Sequence, residues 1–158
     1  MTSNPYADFP AAPPGIAEWE DLLIRFELGP RIAATVLEEI PAERWSDAGK
    51  PGAWRPREHL AHLAASEAEL EAGLRALQSG EPLGGRAPEP GPGLEPASYL
   101  DEYTRLRGRN FGAVQRRGVD VWGWSAPHPE WGMVTVHQLL SAAVRHDGHH
   151  IRRIREAC

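Results

Sequence analysis

Apolar residues recur at intervals of three and four over four stretches of this chain, with prolines and glycines collected between them. Over residues 16–40, Trp19, Leu22, Leu23, Phe26, Ile32, Val36, Leu37 and Ile40 follow helix spacing. Gly29 and Pro30 interrupt that run, so a kink or short break is expected there. A second helix is predicted over 56–79. Pro56 suits its first position, where the missing N–H has no helical partner to lose, and the Ala- and Glu-rich composition that follows favours helix. A third helix is predicted over 96–117, with Tyr99, Leu100, Tyr103, Leu106 and Phe111. The fourth starts near Thr135, three residues before Gln138 as in a capping box, and runs to the C-terminus. Val136, Leu139, Leu140, Ala143, Val144, Ile151 and Ile154 form its apolar stripe, and Arg152, Arg153 and Arg155 complement the dipole at its end.

Four such helices with no period-2 strand predict an all-α four-helix bundle. The 16 glycines and 15 prolines concentrate in the first fifteen residues and around 49–56, 80–96 and 118–132. Residues 1–15 read as a flexible N-terminal segment, 16–158 as a single bundle domain, and 80–96 as a long surface linker between helices two and three. The 158 residues, 41% of them hydrophobic, suffice for one core.

The net charge of -5 argues against a nucleic-acid partner, which requires a basic footprint. No apolar run approaches the roughly 20 residues of a membrane span. The opening MTSNPYADFPAAPPG has neither the basic nor the apolar region of a secretory signal, and the single Cys158 excludes an internal disulfide; a cytoplasmic protein is expected.

Seven histidines change the picture, because three of them, His146, His149 and His150, lie within five residues. Residues four apart project from one helix face, so His146 and His150 can close on one metal ion, with His149 the geometric alternative. His59 and His62 stand on the second helix. Three imidazoles from two helices would leave a coordination position open, as in a catalytic site. The His-Glu-x-x-His protease motif is absent, cysteine-based zinc binding is impossible, and no G-x-S-x-G nucleophile occurs. Of the others, His59 reads as a solvent-facing residue of helix two, His137 as structural, and His128 as a loop residue. Asp147 is either an orienting partner for a ligating imidazole or a surface charge. The six tryptophans read as core and loop anchors, with Trp122 and Trp124 as further candidates for a pocket wall.

The run from Trp54 to Leu63, WRPREHLAHL, resembles the opening of helix two in the DinB/YfiT-like superfamily. The HPEWG run at His128 and the HDGHH run at His146 resemble that family's last loop and helix, and IPAERW at Ile40 resembles its linker after helix one. The family's usual serine after the tryptophan is Arg55 here, which weakens the helix cap. The resemblance implies an up-down-down-up four-helix bundle with a long crossover between helices two and three, often dimeric. It also implies a divalent metal (zinc, nickel or iron) held by His62, His146 and His150, acting on a small-molecule substrate. Characterised relatives include transferases using thiols such as bacillithiol or mycothiol, a thiol-dependent isomerase, and proteins assigned as metal hydrolases. A metal-dependent S-transferase is therefore the first expectation, with Arg145 a candidate for a carboxylate of the thiol. A hydrolase using metal-activated water is the alternative, and a non-enzymatic, stress-related bundle a third.

Overall fold

Each of the four predicted helices forms in the computed structural model, which describes residues 3–45, 51–84 and 95–157. They are α1 (Ile16–Glu38), α2 (Pro56–Ser79), α3 (Pro96–Gln115) and α4 (Val136–Glu156). Pro56 opens α2, and the Glu58 carboxylate accepts the Arg55 N–H at 2.8 Å, so half of a capping box survives without a serine at position 55. Gly80, at φ 74°, closes α2 in the left-handed conformation that glycine adopts without steric cost. The expected capping box on α4 is present: Thr135 Oγ1 accepts the Gln138 N–H, and Gln138 Oε1 accepts the Thr135 N–H.

Helix α1 packs on α3 and α4, and α2 packs on the same two, so α1 and α2 lie on a diagonal. His62 meets His146 and His59 meets His150, so α2 and α4 run antiparallel. Glu67 meets Arg107 and Glu71 meets Arg109, so α2 and α3 run parallel. The topology is up-down-down-up. A parallel pair requires its connection to return along the bundle, and the described start of that connection is anchored by buried Leu83, whose N–H donates to Pro127 O at 2.9 Å.

The core divides into two apolar clusters. Toward one end, Trp19, Leu22 and Phe26 pack with Leu70, Leu74, Val114, Leu139 and Leu140. Toward the other, Ala33, Val36 and Leu37 pack with Leu60, Leu63, Tyr103, Ile151 and Ile154. Between them lies a buried polar layer. Arg107, only 1% exposed, donates from Nε to Glu67 Oε2 (3.0 Å) and from Nη1 to Asp147 Oδ2 (2.7 Å). Its Nη2 donates to Glu67 Oε1 and to Asp147 Oδ1. Asn110 Nδ2 adds bonds to Glu67 Oε2 and to the Glu67 carbonyl. Burial opposes the charge on Arg107, but the Glu67 and Asp147 carboxylates outweigh it and hold its pKa above the ordinary value.

This layer corrects the expected break in α1, which runs unbroken through Gly29 and Pro30. Proline at position 30 deprives the Phe26 carbonyl of its helical donor, and Arg107 Nη1 supplies one at 2.6 Å. Gly29 makes room for the same group: a Cβ there would stand 2.7 Å from Asp147 Oδ2 and 2.9 Å from Arg107 Nη1. The glycine–proline pair is a seat for the guanidinium.

The absence of strands is also corrected, since β1 (Ser125–His128) and β2 (Gly132–Thr135) form a short antiparallel hairpin before α4. Four-residue strands containing Pro127 give too few positions for a period-2 pattern to show, although the paired Ala126 and Val134 both face the core. The N-terminal segment, expected to be flexible, lies against α4. Arg145 bonds Asp8 Oδ2 and Pro5 O, Gln138 bonds Phe9 O, and His137 Nδ1 contacts Pro10 O. Arg145 is thus engaged by the chain's own N-terminus. Cys158 lies outside the described residues.

Replacing Gly29→Ala is expected to destabilise the fold by about 1–3 kcal/mol, because the new methyl collides with the ion cluster. At Gly108, where a Cβ meets nothing within 4 Å, the same change is expected to stabilise by up to about 1 kcal/mol. Arg107→Met, which strands two buried carboxylates, is expected to cost about 3–5 kcal/mol. Urea-unfolding midpoints of the three variants measure this order directly.

Candidate metal centre

The histidine spacings on α2 and α4 mesh because the helices are antiparallel. His59 and His62 stand one turn apart on α2, as do His146 and His150 on α4, and the four rings meet across the interface. The Nε2 atoms of His62 and His146 are 3.0 Å apart, and those of His150 and His146 are 3.1 Å apart. Among the described residues, His62, His146 and His150 form the group of nitrogens close enough together to hold one metal ion.

The donor set fits such an ion. Metal–nitrogen bonds of about 2.0–2.1 Å in tetrahedral geometry separate ligand nitrogens by about 3.3 Å, close to the spacings observed. His146 Nε2 has one in-plane site, yet two other imidazole nitrogens approach it. Both contacts cannot be good hydrogen bonds between neutral rings, so at least one is strained without a cation. Burial lowers the pKa of His62, and lowers those of His146 to about 4 and His150 to about 3, where neighbouring histidines add to the effect. The rings are neutral near pH 7, the form that ligates.

His59 departs from its expected solvent-facing role. It is buried, and its Nδ1 lies 2.9 Å from Nδ1 of His150. Trp54 covers the cluster, nearly parallel to the His150 ring (interplanar angle 17°, centroids 5.8 Å apart) and 5.3 Å from His59 and His62. The expectation for Asp147 as a surface charge fails, since it is buried on Arg107 beside the centre rather than in solvent. His149 is exposed, with its ring edge-on to His150 and outside the group of three. His137 is tied to the N-terminal segment, and His128 stacks on Trp131 at 4.2 Å. Trp122 packs edge-on against buried Trp19.

A cleft of about 760 Å³ opens beside His146, with His146, Arg107 and Asp147 at one end and Tyr6, His128 and Trp131 at the other. Leu70, Gly73, Leu83, Leu139 and Ala143 wall its middle. Its sides come mainly from α2 and α4. Sequence reasoning named His59 and Trp54 without placing them at the centre, and missed Glu67 and Arg107. The available signals were the three-residue spacing that puts His59 on the His62 side of α2, and an arginine placed in register with Tyr103, Leu106 and Val114.

Lowered imidazole pKa values carry a sign for stability. Between the ordinary value of 6.5 and about 4, the unfolded chain takes up protons that the folded histidines refuse, so stability falls as pH drops through that window. The Tm of metal-free protein is expected to fall over this range, and less steeply in a His146→Ala variant. Parallel profiles for the two proteins would contradict neutral buried imidazoles.

The sequence profile of the DinB superfamily matches residues 25–154. No curated protein matches the sequence significantly. Among solved structures, the fold is similar to that of YfiT from Bacillus subtilis, reported as a probable metal-dependent hydrolase with an unusual four-helix bundle topology. The TM-score is 0.78 at 18% identity, covering 90% of this chain and 87% of that one. Among the described residues, no helix is long and apolar enough to cross a membrane.

Proposed function

The chain belongs to the DinB superfamily, and from its histidine geometry we propose that it is a metal-dependent enzyme that conjugates a low-molecular-weight thiol to small electrophiles. The observation that carries this reading is the convergence of three neutral imidazole nitrogens beside a cleft large enough for a small molecule. His62, His146 and His150 would hold the ion, of which zinc, nickel and iron all suit imidazole ligands. A divalent ion with an open position supplies Lewis acidity that lowers the pKa of a thiol or a water.

The polar layer beside the histidines favours the thiol. Both carboxylates of the neighbouring polar layer, Glu67 and Asp147, are committed to Arg107, so neither is free to act as a general base. A thiol needs only to lose its proton to solvent before its sulfur bonds to the electrophilic carbon, and the leaving group departs with the bonding pair. Hydrolysis asks in addition for a group that protonates the leaving atom. Trp54 lies against the imidazoles, and the apolar middle of the cleft suits an uncharged electrophile. A second reading, hydrolysis of a small ester or amide, is favoured by the likeness to YfiT and what is reported of that protein.

Purified protein, stripped by chelator and reloaded with zinc, nickel or iron, is expected to conjugate monochlorobimane with bacillithiol, mycothiol or cysteine. Activity is expected to drop to background in the stripped protein and in His62→Ala and His150→Ala. Ester or amide turnover that needs metal but no thiol selects the second reading. Protein that binds no stoichiometric metal contradicts both.

A further inference from the structure

His59 is a fourth imidazole, which the group of three converging nitrogens does not use. It is 7% exposed, and its Nδ1 lies 2.9 Å from Nδ1 of His150. That contact is on the edge of the His150 ring opposite the Nε2 that meets His146. A neutral imidazole whose Nε2 lone pair faces a cation carries its proton on Nδ1. Ligating histidines donate that N–H in a hydrogen bond to an acceptor that fixes the tautomer and the ring orientation, most often a carboxylate or a carbonyl. The nearby carboxylate of Asp147 is bound to Arg107 instead.

We propose that His59 is this acceptor: His150 donates its Nδ1–H to His59 Nδ1, and His59 keeps its own proton on Nε2. His59 is then a positioning residue for the centre and not a fourth ligand. It is not a member of the group of three that converge, and its Nδ1 lone pair is occupied by the bond. The surroundings hold both rings in place. Trp54 lies nearly parallel to His150 and 5.3 Å from His59, while the His59 backbone N–H is bonded to Arg55 O in the first turn of α2. The inference rests on the metal reading above.

The test compares wild type with His59→Phe, which keeps the bulk and loses the acceptor, and with His59→Asn, whose Oδ1 can stand near the place of Nδ1. Cobalt(II) and zinc affinities are measured by competition with a chromophoric chelator, together with the visible cobalt spectrum. All three proteins are expected to bind one equivalent with the same spectrum, because the ligands are unchanged. His59→Phe is expected to bind about 10–100-fold more weakly, and His59→Asn to recover most of the loss. In metal-free protein, two-bond 1H–15N spectra are expected to show His150 as the Nδ1–H tautomer in wild type and a mixture in His59→Phe.

Equal affinity of wild type and His59→Phe overturns the proposal, and so does an altered cobalt spectrum, which would make His59 a ligand. A wild-type His150 with its proton on Nε2 also overturns it, even if His59→Phe fails to fold. Failure of wild type to bind metal at all removes the metal reading itself, a result distinct from these.

Discussion

A single guanidinium holds the four helices together. Arg107 belongs to α3, bonds Glu67 of α2 and Asp147 of α4, and completes the hydrogen bonding of α1 at the Phe26 carbonyl. It is the bulkiest of the fully buried side chains among the described residues. An apolar layer tolerates small sliding of one helix past another, but this one does not, because displacement would leave charges unpaired where water cannot reach them. Both carboxylates are matched by planar, two-pronged contacts, the geometry that distinguishes arginine from lysine at such a site.

The same layer fixes where the histidines stand. Asp147 directly follows His146, and Glu67 lies between one and two turns beyond His62. Once both carboxylates are bound to one guanidinium, the axial register of α2 against α4 is set, and His62 is brought opposite His146. Three neutral nitrogens packed against one another are unfavourable on their own account. The stability that holds them there comes from the polar layer beside them and from the apolar clusters above and below it. Such a division, with a strained constellation supported by a rigid frame, is common where a site is built for binding.

Much of this was legible along the chain. The periodic apolar positions located all four helices, with α2 beginning and ending at the expected residues, and Thr135 with Gln138 marked the cap of α4. His146 and His150 were readable as a pair because residues four apart on a helix share a face whatever the tertiary fold. Less legible was everything whose meaning depends on a partner distant in sequence. Gly29 and Pro30 carry the local signature of a helix break, and the donor that rescues the Phe26 carbonyl comes from residue 107. His59 looked solvated because nothing within α2 says that α4 will bring His150 against it. The hairpin escaped notice because its strands are too short for alternation to stand out.

The sequence by itself determined the helices, their caps and the spacing of the histidines, since these follow from backbone propensity and from side-chain periodicity within one element. Tertiary structure alone decided that an arginine would lie at the centre, that a glycine–proline pair would make room for it rather than break a helix, and that four imidazoles from two helices would meet. The physical reason is that a buried charge acquires its role from the groups that neutralise it. Here those groups come from three other helices, at separations along the chain that no local pattern encodes.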